Sequence, residues 1–185
     1  AAKQKSMHLS IAISSPIIWH GSLQAFMKKN PHITLSHTLI KRDRFEDHAF
    51  CAKFDFIITA TSDLAGTDWD FEILMPDDRP VLAVYPRHPL AQRQAIRFIE
   101  AKDENFIAVS KDFSMRNFFN DSCELAGFSP KIVLECDYML RSIMLASEYG
   151  IVFTTETVSR TNALKNAVFL KKIDPPQRRT QANFA

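Results

Sequence analysis

The order of elements along the chain predicts an α/β protein built as two lobes, and three observations carry that prediction. A short apolar strand, a hydroxyl-rich turn and an amphipathic helix recur as a unit, and the units follow one another directly over residues 105–165. Pro- and charge-rich stretches at residues 76–80 and 174–176 break the pattern where few side chains have anything to pack against. The last segment, Arg178 to Ala185, reads as a strand that returns to the first lobe. A chain that crosses between lobes twice suits opening and closing around a ligand. A strand running into a polar turn and a helix start places backbone N–H groups around a small anion. The expectation is a small-molecule binding site, not a catalytic machine.

Each element has a local reason. Leu9 to Ile13 is an apolar strand. Ser15 stands as N-cap before Pro16, a residue favoured in the first helical turn. The helix carries Trp19, Leu23, Phe26 and Met27 on one face and stops near Asn30 and Pro31. From His32 to Ile40, Ile33 and Leu35 alternate with Thr34 and Ser36, the period of a strand. Lys41 to Arg44 is a charged turn, Phe45 to Lys53 reads as helical, and Phe54 to Thr59 is a third strand ending in Thr59, Ala60, Thr61, Ser62 and Asp63. This βαβαβ opening predicts a parallel sheet with helices on its faces. Trp69 to Met75 is a strand before the first boundary.

The second lobe starts with the strand Val81 to Tyr85, and His88 to Ala91 turns the chain away. Phe106 to Val109 is a buried strand, followed by the polar loop Ser110 to Ser114 and a helix that stops at Gly127. Ile132 to Leu134 is the next strand. Asp137 caps the helix carrying Leu140, Ile143 and Met144, which stops at Gly150. Ile151 to Phe153 is another strand, followed by Thr154 and Thr155. Thr155 or Glu156 begins the last helix, and Val168 to Leu170 is a strand. The lobes are set at residues 7–79 plus 175–185 and at residues 80–174.

Composition excludes several classes. The 185 residues, 46% of them hydrophobic, suffice for one large domain or two small lobes with real cores. Lys plus Arg number 23 against 21 Asp plus Glu, too balanced for a surface that binds nucleic acid mainly through phosphates. Only 4 Gly and 9 Pro argue against disorder. No apolar run approaches the ~18 residues of a membrane span, so no membrane association is expected. The polar start shows no signal peptide and no initiator methionine, which reads as a piece of a longer protein. Cys51, Cys123 and Cys136 have no metal-type spacing and read as reduced cytoplasmic thiols. No G-x-S-x-G, H-E-x-x-H or P-loop is present, the six histidines lack spaced carboxylate partners, and no enzyme, metal or cofactor is expected.

Three stretches carry a family resemblance. Phe54 to Thr59 looks like a "DLAI" strand. Val81 to Ala91 is similar to a crossover strand with an "HPLA" turn. Glu124 to Pro130 and Gly150 to Phe153 resemble "AGF-P" and "GIALLP" segments. In that order and spacing the chain resembles, over roughly residues 7–185, the effector-binding domain of LysR-type transcriptional regulators. The resemblance implies a type-2 periplasmic-binding-protein-like fold, with two Rossmann-like lobes joined by a two-strand hinge. It implies a bacterial regulator that binds a small carboxylate or similar anion in the cleft between lobes. It also implies an N-terminal winged helix-turn-helix outside this chain that alone contacts DNA. The domain would dimerise, and the full-length protein would be a homotetramer. One departure is Thr155, where the family often has Pro.

The candidate effector-binding residues are Ser14, Ser15, Thr59 and Thr61 in the first lobe, and Ser110, Lys111, Phe113, Thr154 and Thr155 in the second. Ser14 and Ser15 end a strand where the resemblance places effector contacts, and a helix start offers orphan N–H donors. A helix cap accounts for the same serines without a ligand. Thr59 and Thr61 end a neighbouring strand, though threonine is also simply a good strand residue. Lys111 adds charge for a carboxylate, or is a solvated loop lysine. Arg42 and Arg44 read as a surface turn. Hydroxyls with few fixed charges suit a small, partly apolar anion. Some relatives sense peroxide through two cysteines; Cys123 falls at the second of those positions and Ser114 at the first, which argues against such a switch. The rival readings are a solute-binding protein of a transport system, which needs an export signal, and an enzyme of the same fold, which needs an acid or base in the cleft.

Overall fold

The computed structural model describes residues 7–170, 172–174 and 179–184. These fall into two compact units. Asp77–Arg179 is one, and the described residues up to Pro76 and from Thr180 are the other. The expected limit near residues 174–176 runs into residues 175–178, outside the described residues.

The first unit contains β1 (Met7–Ile13), α1 (Pro16–Lys29), β2 (Ile33–Leu39), α2 (His48–Cys51), β3 (Phe56–Ala60) and most of β4 (Phe71–Asp78), whose last two residues belong to the second unit. The second contains β5 (Pro80–Val84), β6 (Ala95–Arg97), β7 (Asn105–Val109), α3 (Ser114–Leu125), β8 (Lys131–Cys136), α4 (Tyr138–Ala146), β9 (Val152–Thr155), α5 (Glu156–Ser159), β10 (Val168–Leu170) and β11 (Lys172–Asp174). The final strand, β12 (Arg179–Phe184), closes the chain's path back into the first unit.

The first unit is one sheet of order β2-β1-β3-β12-β4. β1 lies parallel to both β2 and β3, and β12 runs antiparallel to β3. The returning strand therefore completes the core, which gathers Ala12, Ile40, Phe45, Cys51, Ile57, Leu64 and Ala182. α1 begins at Pro16 and carries Lys28 and Lys29 in its last turn, where cations favour the helix dipole. Asn30 closes it, with its backbone N–H and its side-chain amide both donating to Phe26 O. The apolar face read from the sequence is only partly covered. Ile18 is buried, Trp19, Leu23 and Phe26 are half-buried, and Met27 is 52% exposed.

The helix expected over Phe45–Lys53 is shorter in the structure. A 3-10 turn spans Arg42–Arg44, and the α-helix is the single turn α2. Asp47 is the reason. Its carboxylate accepts from Phe50 N at 2.9 Å and starts the helix there. Phe45 is left outside to fill the core, its carbonyl accepting from Trp69 Nε1 at 2.9 Å.

In the second unit β7 and β8 pair in parallel, and β9 joins β7 in the same direction. Ile107 N donates to Ile151 O at 2.9 Å, and Ile151 N donates to Asn105 O at 2.8 Å. β5 continues antiparallel from β9, with β10 beyond it. The core is aromatic. Phe153 packs 5.3 Å from Phe119 and 5.5 Å from Phe98, and Phe106 lies 5.0 Å from Phe119. Such pairs contribute ~0.5–1.5 kcal/mol each beyond buried area.

α4 starts as the sequence indicates, with the Asp137 carboxylate accepting from Leu140 N at 2.7 Å. Its buried face is Tyr138, Arg141 and Leu145, spaced as one side of a helix. Leu140 and Ile143 point outward, 39% and 52% exposed. The last helix is a single turn, α5, held to the crossing strand because Thr157 N donates to Asp78 Oδ1 at 3.0 Å and Glu156 N to Arg79 O at 2.7 Å.

Gly150 marks the tightest backbone approach. A Cβ there would stand 2.5 Å from Asn105 O, inside the β7–β9 junction. Gly150→Ala is expected to destabilise the chain by about 1–3 kcal/mol through overpacking. Gly21 in α1 has open space around it, and Gly21→Ala should stabilise by up to about 1 kcal/mol. Urea unfolding of both variants checks the opposite signs.

Candidate functional site

Each unit collects polar groups at the carboxyl ends of its parallel strands. In the first unit Ser14 ends β1 and is 2% exposed, with its N–H donating to Ile58 O at 3.0 Å. Thr59 lies fully buried in β3, and the Ser14 and Thr59 hydroxyls are 2.8 Å apart. Thr59 in turn donates to Asp63 Oδ2 at 2.5 Å. An ionised carboxylate only accepts, so Thr59 uses its single proton there and Ser14 is the donor to Thr59. The result is a directed chain from Ser14 through Thr59 to Asp63. Arg42 Nε lies 3.5 Å from the other Asp63 oxygen, whose side chain is 1% exposed. Ser15 occupies the N-cap position of α1 and is buried, but its side chain makes no cap hydrogen bond. Thr61 is half-buried and opens the 3-10 turn Thr61–Asp63.

In the second unit the ends of β7, β8 and β9 meet the starts of α3 and α4. Ser110 is half-buried, and its N–H donates to Cys136 O at 3.1 Å. Lys111 is exposed on the loop, close enough to Glu135 to help hold its carboxyl below the usual range, after the larger effect of the Arg116 hydrogen bond. Phe113 is a core side chain, 4% exposed and 5.2 Å from the Tyr138 ring, so it shapes the strand end from beneath. Thr154 and Thr155 are fully buried at the end of β9.

Sequence reasoning passed over Asp63 as a site residue and missed the arginines of the second unit. Arg116 is buried and paired. Its guanidinium donates to Glu135 at 2.6 Å, to Val109 O at 2.9 Å and to Asn120 at 3.2 Å. Arg141 is 1% exposed and donates to Phe153 O at 3.3 Å. The available signal was a cation at the core-facing spacing of α4, three residues after Tyr138 and four before Leu145. Arg179 donates to the Ser114 hydroxyl through a short, buried contact.

The thiols are free, and burial pushes Cys123 up to about 12. Cys136 is half-buried and raised by the same cause. Among the described residues no group of three or more His, Cys, Asp or Glu is placed to hold a metal, and no helix is long and apolar enough to cross a membrane. A hollow of about 540 Å³, lined by Asn120, Glu124, Gly127, Phe128, Ser129 and Pro130, lies at the other end of α3 and contains none of the expected site residues.

Residues 2–180 match the family model described as LysR substrate binding domain. The HTH-type transcriptional regulator YwbI of Bacillus subtilis (strain 168), itself described as uncharacterized, is 31% identical over 96 residues, 51% of this chain and 32% of that protein. The match thus spans about a third of the curated relative's length. The effector binding domain of QuiR in complex with shikimate aligns at a TM-score of 0.71 and 19% identity, over 95% of this chain and 86% of that one. The Synechocystis PCC6803 CcmR regulatory domain in complex with 2-PG aligns at 0.73 and 20% identity, over 96% and 88%. At such identities the likeness establishes the fold.

Asp63→Ala removes the acceptor that terminates the hydroxyl chain and should cost about 1–3 kcal/mol of stability, read by urea unfolding. With its thiol pushed up to about 12 by burial, Cys123 stays protonated at pH 7. A disulfide reagent should therefore label Cys136 in the native chain before Cys123, and labelling of Cys123 should track unfolding.

Proposed function

We propose, from the premise that this chain belongs to the LysR substrate-binding-domain family, that it is the ligand-sensing part of a transcriptional regulator. The observation that carries the reading is the same arrangement in each unit: buried hydroxyls and helix starts at the carboxyl ends of parallel strands, where open α/β sheets bind ligands. Proteins of similar fold are described in complex with shikimate and with 2-PG. The proposed contacts are Ser14, Ser15, Thr59 and Thr61 from one unit and Ser110, Lys111, Thr154 and Thr155 from the other, with Phe113 as support. A ligand that touches both sets favours one arrangement of the units by its differential affinity, and that preference is what a regulator transmits. The reading is of a cytoplasmic, non-enzymatic domain without a cofactor, which reaches DNA through an N-terminal winged helix-turn-helix.

The proposal extends to self-association, as a homodimer of this domain and a homotetramer of the full-length regulator. β2 is an edge strand flanked by α1, and Met27 and Leu39 are 52% and 41% exposed there. β8 pairs on one side with β7 and leads into α4, and Val133, Met139 and Ile143 are 45%, 71% and 52% exposed. Apolar side chains of this size beside open strand edges fit burial against a second copy.

A thermal-shift screen with small carboxylates and aromatic acids tests the sensing role. A real effector at ~100 Kd should add ~2.7 kcal/mol of stability. Ser15→Ala and Thr154→Ala should weaken that response, and unchanged responses in both would remove them from the site. For assembly, Met27→Glu and Ile143→Glu should shift the sedimentation of the chain to monomer without lowering its melting temperature.

A further inference from the structure

Two of the second unit's buried arginines, Arg116 and Arg141, are treated very differently by their surroundings. Arg116 has a carboxylate, a carbonyl and an amide. Arg141, fully buried on the core-facing side of α4, has one long hydrogen bond to Phe153 O and the face of Tyr138 5.1 Å away. Its Nε and Nη2 have no hydrogen-bond partner among the described residues, and it makes no ion pair there. Thr154 Oγ1, on the residue after Phe153, is also buried without a partner among the described residues. The carboxylate nearest in sequence, Asp137, is engaged as the cap of α4. Burial opposes the charge on Arg141, and the Arg179 guanidinium nearby opposes it further. A guanidinium remains protonated in such a place and is costly there unless paired.

We propose that Arg141, which donates to the carbonyl of the residue before Thr154, is the anchor for an oxyanion, the carboxylate or phosphate of the small molecule this domain senses. The inference rests on the sensing role proposed above and names the side chain that holds the ligand's charged group. A guanidinium offers a planar fork that matches two oxygens of either group, and Nε with Nη2 is one edge of that fork. The threonine hydroxyl can donate to a third oxygen or to a neighbouring substituent. Bound there, the anion supplies the counter-charge that the buried guanidinium lacks among the described residues.

The test is thermal unfolding of the chain in low-chloride buffer, titrated separately with inorganic phosphate, benzoate and neutral benzamide. At least one of the two anions should raise the melting temperature of the parent chain, and the stronger of them identifies the oxyanion. Benzamide should not. Arg141→Met should lose that shift and, without ligand, melt several degrees above the parent, because it removes an unpaired buried charge. Arg141→Lys should keep a reduced shift, and Arg116→Met should melt below the parent. If neither anion stabilises the parent, or if Arg141→Met responds as the parent does or melts lower, the arginine is a structural residue and the inference is overturned. If benzamide stabilises parent and Arg141→Met alike, the sensing role survives and the anion class does not.

Discussion

Parallel pairing is the constraint on which the rest of this structure depends. Strands that run in one direction need a crossover that brings the chain back to the same end, so their carboxyl ends gather along one edge of the sheet. In the first unit this places the end of β1 beside the end of β3, and Ser14 next to Thr59. In the second it brings together the ends of β7, β8 and β9 with the starts of α3 and α4. Neither group of polar residues is contiguous in sequence. Both exist because strand direction is fixed by the apolar packing beneath, most tightly by the phenylalanines around Phe153 and the close approach at Gly150.

The two strand ends differ in how completely their polar groups are satisfied. The first unit closes its hydroxyls into a chain that ends on a buried carboxylate, itself faced by Arg42. That set pairs its polar groups with one another. The second unit holds Arg141 and the Thr154 hydroxyl buried with capacity unused among the described residues. A buried polar group without a partner costs free energy, so such groups mark places where a protein gives up stability for another purpose. Under the proposed sensing role, hydroxyl recognition falls to the first unit and charge recognition to the second.

Much of this was legible in the sequence because it depends on local rules. The Pro16 helix start, the Asp137 cap and the Gly127 stop are each set by a few adjacent residues and stand where those residues place them, whereas β4 continues to Asp78 through the stretch read as a boundary, β6 and β11 were not foreseen, and α4 ends at Ala146, short of Gly150. The helix over Phe45–Lys53 was misjudged because a cap at Asp47 and a core position for Phe45 compete within one turn. On α4 the apolar residues Leu140 and Ile143 suggest one face and the structure buries another, since an exposed apolar stripe and a buried arginine invert the usual rule. The threonines and serines were identifiable at strand ends. Asp63, Arg141 and Arg179 were not, because their roles come from strands and helices far apart in the chain.

The most direct test of the account is a nitrogen-15 NMR titration of this chain with 2-PG and, separately, shikimate, with assigned backbone resonances. Binding at the strand ends predicts saturable shifts concentrated at Ser14, Ser15 and Thr59 and at Ser110, Arg141 and Thr154. Shifts confined to the hollow of Asn120, Gly127 and Ser129 at the far end of α3, with the strand-end residues unmoved, would contradict it.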